Sequence, residues 1–177
     1  MKLALYGGSF DPPHAGHVAV VKEALHVLPI DSLIIVPASR NPFKNSVVAS
    51  GTVRFGWLQE IFKPYDKVVV SDFEIKQNRS VYTIETVKHY AQQCDELYLI
   101  IGADNLETLS QWHDFDLLNA MVRWVVATRD EIPIPENMLR LKVHVPISST
   151  DIRSSATFLG LDSDIEKKIT PYYKEHP

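Results

Sequence analysis

The chain has a single cysteine, Cys94, among its 177 residues, so an intrachain disulfide is impossible and a thiolate metal cluster would need several chains. It lacks any run near the ~18 apolar residues of a membrane span. Met1-Lys2-Leu3-Ala4-Leu5-Tyr6 reaches glycines too early to form the apolar segment of a signal peptide. These absences point to the reducing cytoplasm, away from membranes. An excess of positive charge is also missing: 18 Lys and Arg stand against 22 Asp and Glu, a formal charge of -4, which gives no global field for a nucleic-acid duplex. No repeat, low-complexity tract or Pro/Gly/Ser linker divides the chain. What remains, 45% hydrophobic and 23% charged residues, is the composition of an ordinary globular domain with a real core.

Short apolar runs recur at Leu3 to Tyr6, Leu33 to Val36, Val68 to Val70, Leu97 to Ile101, Trp124 to Ala127 and Val143 to Val145. They are rich in Val, Ile and Leu without strict polar alternation, as strands covered on both faces are, and the longer gaps leave room for helices. Val18, Val21, Ala24, Leu25 and Leu28 recur at helical steps before Pro29. Thr52 is placed to cap a second helix carrying Phe55, Leu58, Ile61 and Phe62 before Pro64, and Ser80 precedes a third with Ile84, Val87 and Ala91. Ser163-Asp164-Ile165-Glu166 has the pattern of a capping box, predicting a short C-terminal helix ended near Pro171. The expected fold is α/β: one Rossmann-like doubly wound parallel sheet with helices on both faces, residues 1–177 forming a single domain whose C-terminal helical part begins at about 150. In such a sheet ligands bind beyond the carboxyl ends of the strands.

The segment after the first run, Gly7-Gly8-Ser9-Phe10-Asp11-Pro12-Pro13-His14-Ala15-Gly16-His17, is the densest anomaly in the chain. Its glycines allow a sharp strand exit and close approach of a ligand, and the following helix start is expected to offer unpaired N–H groups and a positive dipole end to an anion. His14 and His17, three apart with Gly16 between, are placed to face one small volume. A zinc site lacks a third ligand nearby, and neither the G-x-x-x-x-G-K-[ST] phosphate loop nor the G-x-G-x-x-G fingerprint is present. Near the other end, Val143-His144-Val145-Pro146 reads as a strand leading into Ile147-Ser148-Ser149-Thr150-Asp151-Ile152-Arg153. Ser149 or Thr150 would cap the next helix with Arg153 in its first turn, so hydroxyls, backbone donors and a guanidinium could meet one anion.

These two segments carry a resemblance. The first resembles the His-x-Gly-His signature of the nucleotidyltransferase superfamily, in the form found in bacterial nicotinate-nucleotide adenylyltransferases, and the second is similar to that family's Ile-Ser-Ser-Thr-x-Ile-Arg segment. The likeness runs from Leu3 through Arg153 and implies a nucleotidyltransferase domain. It implies that His14 and His17 are catalytic and that Gly8, Ser9, Phe10, Gly16, Lys44, Ser149, Thr150 and Arg153 hold ATP and its phosphates. Lys44 lies in Pro37-Ala38-Ser39-Arg40-Asn41-Pro42-Phe43-Lys44, which is similar to a family loop ending Pro-His-Lys, with Phe43 in place of the His. Asp72-Phe73-Glu74 with Arg79-Ser80-Val81-Tyr82-Thr83-Ile84, and Gly102-Ala103-Asp104-Asn105-Leu106 with Gln111-Trp112-His113, resemble the acceptor segments. They imply that Thr83, Gly102, Asp104 and Trp112 bind nicotinate mononucleotide, Asp104 at a ribose and Trp112 stacked on the pyridine. Arg129 aligns with a family Arg usually followed by Pro, where Asp130 and Glu131 stand here.

The reaction so implied moves AMP from ATP to the 5′-phosphate of nicotinate mononucleotide, releasing pyrophosphate, with Mg²⁺ carried by ATP and no protein side chain ligating the metal. The implied partners are these small molecules, not nucleic acid or membrane. Other readings are a nicotinamide mononucleotide adenylyltransferase; a phosphopantetheine adenylyltransferase, which normally has Thr where His14 stands; and a silent nucleotide-binding module.

Overall fold

Alternate residues of the central strands enter two different cores, and this decides the architecture. The computed structural model describes residues 1–39, 48–128, 131–144, 149, 152–153 and 159–175. Strands β1 (Lys2–Gly8), β2 (Ser32–Pro37), β3 (Val68–Val70), β4 (Glu96–Gly102), β5 (Arg123–Thr128) and β6 (Leu139–Lys142) form one parallel sheet in the order β3-β2-β1-β4-β5-β6. Ala4, Tyr6, Leu33, Ile35, Ile100 and Val125 face a core shared with α1 (Ala15–Val27), α2 (Gly51–Phe62) and α6 (Ser163–Glu175). Leu3, Leu5, Ile34, Leu99, Ile101 and Val126 face a second core under α4 (Thr83–Ala91) and α5 (Phe115–Met121), while the single turn α3 (Phe73–Lys76) follows β3. The sheet is therefore doubly wound with helices on both faces. Its strand order reverses between β1 and β4, which opens a crevice at their carboxyl ends.

Four local expectations are corrected. The sixth described strand lies at Leu139–Lys142, ahead of the expected Val143 to Val145; Val143 lies past its end, donating its N–H to Thr128 O at 3.0 Å, and Val145 is outside the described residues. This edge strand has just one fully buried residue, Leu141, so it never reads as a continuous apolar run. Ser50, and not Thr52, caps α2, its hydroxyl accepting from Val53 N–H at 3.3 Å. At the start of α6 the capping carboxylate belongs to Asp162, which accepts from Asp164 N–H at 3.0 Å, one residue ahead of the expected Ser163. Helix α6 also continues through Pro171 to Glu175. An internal proline costs roughly 3 kcal/mol, and the burial of Ile169 and Tyr173 in the α1/α2 core offsets it. Among the described residues no helix is long and apolar enough to cross a membrane.

Candidate active site

β1 delivers its two glycines to the crevice, and the chain must turn before α1. Gly8 leaves room for the Phe10 ring, which a Cβ there would meet at 3.2 Å. Phe10 adopts a left-handed backbone, φ 49°, uncommon for a residue with a side chain. Its ring is buried edge-on against Tyr6 and His17, with centroids 5.4 and 4.8 Å apart, and this packing holds the reversal in place.

His14 is the N-cap of α1. Its Nδ1 accepts from the Gly16 N–H at 3.0 Å, and the Nδ1 of His17 accepts from the His14 N–H at 3.1 Å, a reciprocal arrangement with the logic of a capping box. Because each Nδ1 accepts a backbone proton, this network assigns each imidazole's own proton to Nε2. The rings stack with centroids 3.8 Å apart and planes 30° from parallel. His17 lines the cavity, and His14 is buried behind it.

The expectation of open amides at this helix start is overturned. Ala15 N–H donates to Leu159 O at 2.8 Å, Gly16 N–H to His14, and the N–H groups of His17 and Val18 to His14 O at 3.0 and 3.3 Å. These amides are all taken, so what the helix start keeps for an anion is its dipole end, and Gly16 has no spare amide.

The second motif reaches the site by gripping the first. Ser149 Oγ donates to Pro12 O at 3.0 Å across 137 residues of sequence, and Arg153 Nη1 donates to Asp11 O at 2.5 Å. Ser149 lines the same cavity as Gly8, Ser9, Phe10 and His17. Lys44, Phe43, Arg129 and Thr150 lie outside the described residues.

The cavity, about 600 Å³, extends from the histidine turn to the acceptor segments, where Thr83, Gly102, Asp104 and Trp112 line it. A Cβ on Gly102 would come within 2.4 Å of Asp104 Oδ1, so only glycine lets that carboxylate fold back over the end of β4. Trp112 packs edge-on against Trp124, centroids 6.3 Å apart, and also borders the cavity; it is core on one side and wall on the other.

Three wall residues lie in the quoted acceptor segments without a role of their own from the resemblance. Tyr82 and His113 stack with centroids 4.3 Å apart and planes 22° from parallel, joining the two acceptor segments. Asp114, beside His113, has φ 52°, an uncommon conformation that tends to mark functional turns. Glu74 also lines the cavity; it accepts from the Thr86 hydroxyl at 2.7 Å, and burial pushes its carboxyl up to about 7. Outside the wall, the Arg79 ion pair and the Tyr82 N–H hold Glu85 down at about 2. A further signal was present in α2. Arg54 shares the spacing of Leu58 and Ile61, a charge on the apolar stripe, and it is wholly buried. Among the described residues no three His, Cys, Asp or Glu side chains gather as a metal site.

Comparison with known proteins adds to this geometry. A cytidylyltransferase-like family model matches residues 5–155. A protein of Sulfurimonas denitrificans named "Probable nicotinate-nucleotide adenylyltransferase" is 46% identical over 173 residues, covering 98% of this chain and 95% of the relative. One of the same name from Nitratiruptor is 45% identical over 178 residues, covering 98% and 99%. The Plasmodium falciparum nicotinic acid mononucleotide adenylyltransferase, solved with NaAD, superposes with a TM-score of 0.74 at 20% identity, covering 98% of this chain and 95% of that one; at that identity the likeness speaks for the fold. With a family model spanning most of its length and relatives alike from end to end, the chain belongs to the cytidylyltransferase-like nucleotidyltransferases, in the nicotinate-nucleotide adenylyltransferase family.

Proposed function

We propose that this protein transfers AMP from ATP to nicotinate mononucleotide, giving nicotinate adenine dinucleotide and pyrophosphate, with the two halves of the cavity serving the two substrates. The observation that carries the reading is the reciprocal histidine cap at a strand-end cavity that His17 lines together with Tyr82, Trp112 and His113. A phosphate monoester is largely dianionic at pH 7, with a second pKa near 6, so the acceptor is already a nucleophile and no protein base is required. Catalysis then rests on in-line placement and on stabilising charge at the α-phosphate and the departing pyrophosphate.

In this reading His17, backed by the stacked His14, donates from Nε2 to phosphate oxygens near the reacting centre. Gly8, Ser9 and Phe10 shape the turn against the nucleotide, while Ser149, Thr150, Arg153 and Lys44 share the triphosphate charge. Asp104 accepts from a ribose hydroxyl, Thr83 gives a polar contact at the pyridine, and Trp112 stacks on that ring. A divalent ion arriving as Mg²⁺ on ATP would neutralise triphosphate charge. The working setting is the cytoplasm, and the partners are small nucleotides.

The test is pyrophosphate release from ATP and Mg²⁺ with nicotinate mononucleotide, nicotinamide mononucleotide or phosphopantetheine as acceptor. Turnover with the first, at a kcat/KM at least tenfold above the amide, is expected. Nucleotide binding without turnover would mean a silent module, and preference for either other acceptor would reassign the substrate.

A further inference from the structure

Behind the histidine turn lies a buried polar hub that the reaction itself does not use. The Asp11 carboxylate, 5% exposed, accepts the N–H of Val48 at 2.8 Å, the N–H of Ala49 at 3.0 Å and the hydroxyl of Tyr173. The Asp11 carbonyl accepts from Arg153. Next to it the wholly buried Arg54 donates to the carbonyls of Ser9 at 2.5 Å, Ala38 at 2.8 Å and Ala49 at 2.9 Å. The residues on both sides of Phe10 are thus pinned, one through Ser9 O and the other through the carboxylate and carbonyl of Asp11. Phe10 carries the ring that packs on His17, and the chain runs on through two prolines to His14.

We propose that Tyr173, on the C-terminal helix α6, is a positioning residue for the histidine turn, acting through Asp11 to hold His14 and His17 in their single reactive arrangement. The inference rests on the adenylyl-transfer reading for its consequence in rate. Three physical points support it. Tyr173 is the one side-chain donor to the Asp11 carboxylate among the described hydrogen bonds; the other two donors are backbone groups near the start of α2. A hydrogen bond to a buried carboxylate is charge-assisted and short, so it fixes position more tightly than a neutral one. Burial and the Asp11 carboxylate both push the Tyr173 hydroxyl up, which keeps it a donor throughout the working pH range. The rest of the helix is held separately, by ring contacts of Tyr172 and Tyr173 with Trp57 at 5.5 and 6.0 Å and by the Lys168–Glu60 ion pair at 2.6 Å. The hydroxyl can therefore be removed while α6 stays docked.

The test uses the full chain. Tyr173→Phe deletes one oxygen, and its kcat should fall about tenfold with the acceptor KM changed less than twofold. Trp57→Phe loosens the α2–α6 contact without touching Asp11; it should lose thermal stability and keep its kcat. A Tyr173→Phe enzyme with normal kcat overturns the proposal, as does an equal fall in kcat in both variants, which would mean general loosening. A second readout needs no turnover: nitrogen-15 spectra of the histidine rings should show Nε2–H tautomers for His14 and His17 in the wild type and averaged tautomers in Tyr173→Phe. Unchanged ring signals overturn the positioning role even if the functional reading stands. An inactive wild type whose ring signals respond as expected would overturn the functional reading alone.

Discussion

The two halves of the cavity are built in opposite ways. On the histidine side His14 and Asp11 are buried, the helix donors are satisfied internally, and Arg54 and Asp11 tie the turn to three other elements. On the acceptor side the wall is a half-buried Trp112, a Tyr82 that is 49% exposed, and His113 stacked on it. The charges there, Arg79 and Glu85, pair at the surface. Chemistry on a developing phosphate charge needs donors fixed before the substrate arrives, whereas a pyridine ring needs a face to lie on and a way in. The contrast implies that substitutions on the histidine side act on turnover or folding, and those on the acceptor side act on affinity.

The largest expected effect sharpens that division. His17→Ala should lower kcat by about 10²–10³-fold, roughly 3–4 kcal/mol of transition-state stabilisation, with the circular dichroism of the wild type and a melting temperature lower by a few degrees, because the His14 N–H loses its acceptor. Next, Arg54→Met should cost about 3 kcal/mol of stability in urea unfolding, because it strands the carbonyls of Ser9, Ala38 and Ala49 inside the protein. A loss below about 1 kcal/mol would mean the hub is not what holds the turn.

Two smaller effects belong to the acceptor side. The Glu74 carboxyl is raised to about 7 in the fold, so the folded state holds its proton more tightly than the unfolded chain. Its contribution is fully present below about pH 4 and is lost as pH rises through 7. Glu74→Gln, which keeps an acceptor for Thr86, should therefore stabilise the protein by about 2 kcal/mol at pH 8.5 and by almost nothing at pH 4. A stability difference that does not vary with pH would contradict the burial account. Trp112→Leu should raise the acceptor KM about tenfold, near 1.4 kcal/mol, with little change in kcat or in the ATP KM, as read from initial rates.

Much of this division was legible in the residues, for reasons that are local. The buried strands were visible because parallel strands covered on both faces are continuously apolar, and the histidine turn because three glycines, two prolines and two histidines crowd into eleven residues at the end of one. Leu139–Lys142 escaped because an edge strand buries so little. The hub escaped for a different reason. Nothing local links Asp11 to Tyr173, 162 residues away, or Arg54 to the carbonyl of Ser9; such bonds exist only once the sheet has brought the ends of the chain together. The closed amides of α1 were hidden because a histidine is an unusual cap, and its reciprocal pairing with His17 depends on ring orientation.

The most direct test of the account is a pair of initial-rate experiments on pyrophosphate release, with ATP and nicotinate mononucleotide varied in turn, for the wild type, His17→Ala and Trp112→Leu. The account predicts a crossed pattern: His17→Ala loses kcat at a near-normal acceptor KM, and Trp112→Leu shows a raised acceptor KM at a near-normal kcat. A His17→Ala enzyme with a near-normal turnover number, or an equal fall in kcat in both variants, would contradict it.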